Sequence, residues 1–235
     1  MRALAVVVMV VFLSACATVP SSSRPMDYYQ GQNDAYSSDV SLFGDSSVGM
    51  SEEDINKILA YRLVLPTQNR LAILNLTPSN YWRYYSSDFV HLNEALVNDF
   101  IGELKASARI YDASFLPSLL IPEKKTLPHL RLAAARFQAD VLLTYRTNCQ
   151  SFEKYKFLDP DETKAYCTVE AVALDVRSGI VPFTVVSTNE FKAERKPDDM
   201  NFDETMRKAE MSATTVGLTK VAEELRRFIE SMPSL

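Results

Sequence analysis

Leu130-Arg131-Leu132-Ala133-Ala134-Ala135-Arg136-Phe137-Gln138-Ala139-Asp140-Val141-Leu142-Leu143 runs from a helix directly into a strand. Leu127, Leu130, Ala134 and Phe137 recur at helical spacing and mark one buried face. Thr126 is the expected N-cap, and Pro128 is tolerated in the first turn. From Ala139 to Thr147 the pattern becomes a continuous apolar run, which reads as a buried strand. A helix feeding a buried strand implies a sheet with helices packed on it.

Downstream, Ala165–Val176 and Ile180–Lys192 read as two more strands, with Arg177-Ser178-Gly179 as the tight turn between them. The strand beginning at Ala139 can be registered against the first of these if paired residue numbers sum to 316. Cys149 then faces Cys167, Tyr145 faces Ala171 and Leu143 faces Ala173. On the opposite side of the sheet, Arg146 faces Glu170 and Leu142 faces Leu174. One register thus satisfies a cysteine pair, a charge pair and apolar pairs, as cross-strand neighbours require.

Upstream, Arg70–Leu76 is a short apolar strand, and Leu92, Leu96, Phe100 and Leu104 give an amphipathic helix extending to Ser107. Ala108–Phe115 is a further strand, after which Pro117 and Pro122 break the chain. A final helix covers Phe202 to Met232. A leading helix starts at Ser51, its N-cap, with Glu52, Glu53 and Asp54 favoured by the helix dipole and Ile55, Ile58, Leu59 and Leu63 forming an apolar face. Gly44–Ser51 has the spacing of a phosphate-binding loop, but Met50 stands where the lysine belongs, so no nucleotide site is expected. The order α-β-α-β-α-β-β-β-α predicts an α+β fold, an α/β sandwich with a mixed sheet of about five strands.

Ahead of this domain (51–235) lies an address. Arg2 precedes an apolar run from Ala3 to Leu13, too short to span a bilayer. Leu13-Ser14-Ala15-Cys16 resembles the lipobox of bacterial lipoproteins. That implies removal of residues 1–15 as a signal peptide, and a diacylglycerol and an N-acyl (palmitate-type) chain on Cys16, enough for stable anchoring. A plain secretory signal with an incidental cysteine is the competing reading. Ala at position 17 favours the outer membrane by the same resemblance, with the domain facing the periplasm. Residues 16–50 are rich in Ser, Asp, Asn, Gly and Tyr without a period, and read as a tether of roughly 30–35 Å r.m.s. reach. Tyr28, Tyr29, Tyr36 and Phe43 within it are placed to dock on the domain or on a partner. An exported chain folds in an oxidising space. With Cys16 acylated, two of the 3 cysteines remain, so a Cys149–Cys167 disulfide is predicted, worth roughly 3 kcal/mol by loop length. Two reduced cysteines are the alternative, and a zinc site lacks histidine nearby.

At this point the residues resemble a family. A lipobox, a tether and this element order are similar to the periplasmic lipoprotein domains related to CsgG, LpoB and the TolB N-terminal domain. The stretch Leu130–Leu143 looks like that group's helix, Ala-Asp step and strand, and Asp175-Val176-Arg177-Ser178-Gly179 is similar to its D-x-x-S/T-G hairpin. Where the group has glycine before the Ala-Asp step, this chain has Gln138. The whole order resembles the rhombotarget lipoproteins more closely still. The resemblance, over about residues 60–230, implies binding, assembly or secretion roles and no shared catalytic residue.

Composition narrows function further. A formal charge of -5 gives no footprint for nucleic acid, and 6 glycines with 2 histidines leave little for phosphate loops or metal chemistry. The favoured reading is a non-catalytic, lipid-anchored protein that binds another envelope or secretion component. Its candidate contact is Tyr81, Trp82, Arg83, Tyr84 and Tyr85, since aromatics and arginine dominate interface hot spots; packing of these rings on the domain is the competing reading. The charged stretch Glu153–Lys164 is a second candidate, against an ordinary solvated loop. A homo-oligomeric, pore-associated lipoprotein is an alternative, but the charge density of Gln150–Ala165 suits water rather than lipid. A periplasmic enzyme is a further alternative. His91, at a helix start, and His129 belong to no convergent constellation, and Asp159, Asp161 and Glu162 lack cation-loop spacing. No catalytic residue, metal or free cofactor is expected.

Overall fold

The computed structural model describes residues 41–42, 50–77 and 87–234. Cys16 and the aromatic run Tyr81, Trp82, Arg83, Tyr84 and Tyr85 lie outside these residues. The elements are α1 (Glu52–Ala60), β1 (Asn69–Asn75), α2 (Ser87–Lys105), β2 (Ile110–Phe115), α3 (Leu127–Arg136), β3 (Val141–Lys154), β4 (Glu162–Asp175), β5 (Phe183–Glu194) and α4 (Phe202–Ser231). The fold is mixed α+β, and the order of elements is the expected one.

The sheet order is β2-β1-β3-β4-β5. β1 lies parallel to both β2 and β3, whereas β3, β4 and β5 form an antiparallel meander. Every β3–β4 pair follows the sum of 316, from Val141 opposite Asp175 to Lys154 opposite Glu162. β1 accompanies β3 only as far as Tyr145, so Arg146 to Lys154 continue beyond the parallel half with β4 and β5.

The two faces of the sheet have different cores. Leu71, Ile73, Leu143, Val169 and Ala171 meet Phe100 and Leu104 of α2 and Leu218, Val221, Leu225 and Ile229 of α4. On the opposite face Ala72, Leu74, Leu142 and Leu174 meet Leu130 and Ala134 of α3, with Leu42 packed against them. Side chains alternate between the two faces along β3 and both faces are covered, so Val141 to Tyr145 are all buried. Gly217 lets α4 lie close on the sheet: a Cβ there would sit 2.7 Å from Val169 Cγ2.

Three polar contacts explain the sequence signatures. Asp140 accepts the backbone N–H of Arg70 at 3.0 Å and the Arg177 guanidinium at 2.5 Å, joining the head of β3 to β1 and to the β4–β5 turn. Asp175 accepts the N–H of Ser178 at 2.8 Å, while Gly179 at φ 80 closes the turn. Arg109 donates to the carbonyls of Ile229 and Met232, capping the C-terminus of α4 with a cation. Beside that cap, the N–H of Leu65 donates to the Pro233 carbonyl at 3.1 Å.

Several local expectations change. Ser51 caps α1 as expected, accepting from the Asp54 N–H at 3.1 Å. Thr126 occupies the N-cap of α3 but makes no side-chain cap; its hydroxyl pairs with His129 Nδ1 at 2.7 Å instead. α2 begins at Ser87, so His91 lies within the helix rather than at its start, because burial of Phe89 anchors an extra turn. β5 begins at Phe183 rather than Ile180, since the Asp175–Ser178 contacts and the Asp175 N–H to Ile180 carbonyl bond widen the turn. α1 buries none of its residues, including the Ile55, Ile58 and Leu59 stripe.

Gln138 adopts φ 60, the left-handed region that favours glycine. Gln138→Gly should therefore raise stability by about 1 kcal/mol, the order of the left-handed penalty, seen as a higher Tm in thermal denaturation. Gly217→Ala should cost about 1–3 kcal/mol by overpacking against Val169. Gly102→Ala, with nothing within 4 Å of its added Cβ, should be neutral or stabilising in the same assay.

Candidate functional site

The strand lengths create an asymmetric surface. Because β3, β4 and β5 outrun β1, the first turns of α2 and α4 and the last residues of β5 enclose a groove of about 700 Å³. Leu92, Ala95 and Phe191 form its apolar walls, and Asp88, Asp199 and Lys208 its polar side.

The polar side is a closed ionic network. Asn201 caps α4 by accepting the Glu204 N–H at 2.9 Å, which turns Glu204 back toward the preceding loop. Lys208 Nζ lies 2.8 Å from Asp199, 3.0 Å from Glu204 and 3.4 Å from Asp88. Asp199 and Glu204 are almost fully buried, at 2% and 1% side-chain exposure. Asp199 also accepts the Thr205 hydroxyl at 2.7 Å and the Lys196 N–H at 2.9 Å. Burial opposes the Asp199 charge, but Lys208, the Lys196 amide and Thr205 outweigh it and hold its carboxyl below the usual range. Burial likewise opposes the Lys208 charge, and the two carboxylates override it and hold the ammonium above its ordinary range.

In this groove the Thr205 hydroxyl is hydrogen-bonded to Asp199, a carboxylate already held by Lys208. His91 is exposed and lies 3.6 Å from Glu94. His129 is engaged by Thr126 on another helix. Among the described residues no group of His, Cys, Asp or Glu could hold a metal ion. Burial pushes the Glu210 carboxyl up, a hydrogen bond from Ser151 at 2.7 Å opposing the shift, but this group faces the sheet beneath α4.

Cys149 and Cys167 are joined by a disulfide at a Cα–Cα distance of 4.1 Å. The bridge lies under α4: Cys167 Sγ is 3.3 Å from the Glu210 carbonyl and Cys149 Sγ 3.6 Å from the Thr214 hydroxyl.

The charged stretch Glu153–Lys164 is only partly a loop, because Lys154 and Glu162 close the strand ladder. Its charges turn on one another. Glu162 lies 2.7 Å from Lys156 and 3.2 Å from Lys192, and hydrogen bonds from both lysines lower its carboxyl to about 2. Asp161 accepts the Lys156 N–H at 3.0 Å. What remains at the tip is Phe157, 99% exposed, and Leu158, 90% exposed. Attention to the acidic and basic residues hid this pair; the signal was two adjacent large apolar side chains within a turn.

No protein-family model matches the chain, and no curated protein matches it. Solved structures with partial likeness include a hypothetical protein from Chlamydia trachomatis (10% identity, 69% of this chain and 98% of that one, TM-score 0.39). A PelC dodecamer from Paraburkholderia phytofirmans (17%, 70% and 92%, 0.36) and a minor lipoprotein from Acinetobacter baumannii (12%, 72% and 96%, 0.34) are similar to the same extent. A rare lipoprotein B from Shewanella oneidensis (10%, 69% and 95%, 0.32) is a further structure of this kind. At these TM-scores the likenesses carry no argument, and function rests on the chain's own residues. Among the described residues no helix is long and apolar enough to cross a membrane.

The network makes a pH-dependent prediction. Lys208→Met leaves Asp199 and Glu204 buried without their cation, a loss of about 3–5 kcal/mol at neutral pH. In the variant both carboxylates resist ionisation, so the deficit grows as pH rises through the carboxylate range and shrinks below it. Urea denaturation of both proteins at pH 3.5 and 7 would measure it, with the larger gap expected at pH 7.

Proposed function

We propose that the chain is a non-catalytic, lipid-anchored envelope protein that binds a partner protein through the groove between α2, β5 and α4. The observation that carries this reading is the state of the groove's ionisable groups. Lys208, Asp199 and Glu204 are spent on one another, so the groove offers apolar walls and a fixed, ion-paired polar side. Such a surface holds an apolar segment of a partner and orients it. The aromatic run Tyr81, Trp82, Arg83, Tyr84 and Tyr85 remains a second candidate contact by residue type.

Anchoring comes from the sequence. Leu13-Ser14-Ala15-Cys16 supports acylation of Cys16 in the outer membrane, the chain between Cys16 and Leu42, where the domain is joined, supplies the reach, and the domain works in the periplasm. A disulfide in the sheet is consistent with an oxidising compartment.

A photocrosslinking side chain placed at Ala95 should capture one recurrent envelope protein in living cells, whereas the same probe at Arg136, on α3 across the sheet, should not. Adducts only with a second copy of the chain, or none, would overturn the partner reading. Cys16→Ser should release the protein from washed membranes; its retention there would count against lipid anchoring.

A further inference from the structure

We propose that the β3–β4 tip, Phe157 and Leu158, is a second point of attachment to lipid, seated in the interfacial layer of the bilayer that holds the anchor; this rests on the anchored reading above.

Direction comes from topology. β1, β2 and β3 are parallel, so their C-terminal ends share one end of the sheet. β3 continues past β1 from Arg146 to Lys154, about 30 Å of extended chain, so the tip projects beyond that end. α3 returns the chain from the end of β2 to the start of β3, which puts its first residue, Leu127, at the same end. The N–H of Leu127 donates to the Leu42 carbonyl at 2.6 Å. The part of the described chain nearest to Cys16 in sequence therefore lies at the end toward which the tip points. Leu119, 95% exposed, follows β2 there as well.

The tip is built to present its apolar pair. The Cys149–Cys167 bridge ties its two strands, and Tyr155 rests on Phe202 with ring centroids 5.7 Å apart. The Arg195 N–H donates to the Asp161 carbonyl at 2.9 Å, fixing the turn to the end of β5. Behind it Glu162 pairs with both Lys156 and Lys192, which leaves that cluster one positive charge in excess. Both lysines thus reach a membrane surface already holding a carboxylate, and this charge together with exposed Asp159, directly after Leu158, confines the tip to a shallow depth.

Shape and area favour lipid over protein. Phe157 and Leu158 stand clear of surrounding walls, and two such side chains offer far less than the roughly 800 Å² per partner of a stable protein interface. A bilayer requires no complementary surface, and a tip already held near it by acyl chains needs only weak affinity of its own.

The test uses the full-length acylated protein with Phe157→Trp in a Trp82→Phe background, which leaves a single indole. It is reconstituted with phosphatidylcholine vesicles whose acyl chains are plain or brominated. Flotation with the vesicles, a blue-shifted emission and at least about twofold quenching by the brominated lipid would support the proposal. Flotation with an unquenched, water-like emission would overturn the tip attachment and leave anchoring intact. Failure to float would overturn the anchored reading and the two-point attachment together. An emission shift seen only after adding detergent-solubilised envelope proteins, without bromine quenching, would give the tip to a protein and overturn the lipid assignment.

Discussion

β3 is the strand on which the rest of the structure depends. On one edge Leu71 to Asn75 of β1 run parallel to it; on the other, β4 runs antiparallel along its whole length. Only one register meets both demands while sending Leu143 to the α2–α4 core and Leu142 to the α3 core, because a one-residue slip would exchange the two faces. Asp140 holds that register at the head of the strand through Arg70 and Arg177, and the Cys149–Cys167 bridge holds it beyond the end of β1.

This explains why so much of the fold was legible. The alternation of side chains between the faces of β3 and β4 left one pairing that matched cysteines, charges and apolar residues together. Local chemistry was less legible where two partners competed. Thr126 had the type of an N-cap, yet its hydroxyl went to His129. Phe89 extended α2 by a turn because it could bury, which a stripe counted from Leu92 did not include. Gln138 shows the same limit: a left-handed turn was needed between α3 and β3, and the chain accepts it without glycine.

The candidate site was hardly legible. Lys208, Asp199 and Glu204 come together because Asn201 caps α4 and folds the preceding loop back over its first turn. No spacing pattern announces that meeting. At the β3–β4 tip the charges looked like the chemistry. They prove to be mutual partners, and the exposed surface belongs to Phe157 and Leu158.

The cap that Arg109 places on α4 has a consequence for the timing of assembly. Synthesis delivers the chain from its N-terminus, so the sheet and its disulfide-forming strands emerge before the helix that, with α2, covers one face. Phe100 and Leu104 of α2 give Leu71, Leu143 and Val169 only part of their cover; Leu218, Leu225 and Ile229 complete it, and the Arg109 and Leu65 contacts close only with Ile229, Met232 and Pro233. The packing of that face is therefore completed late in synthesis, when the last turns of α4 become available to the sheet.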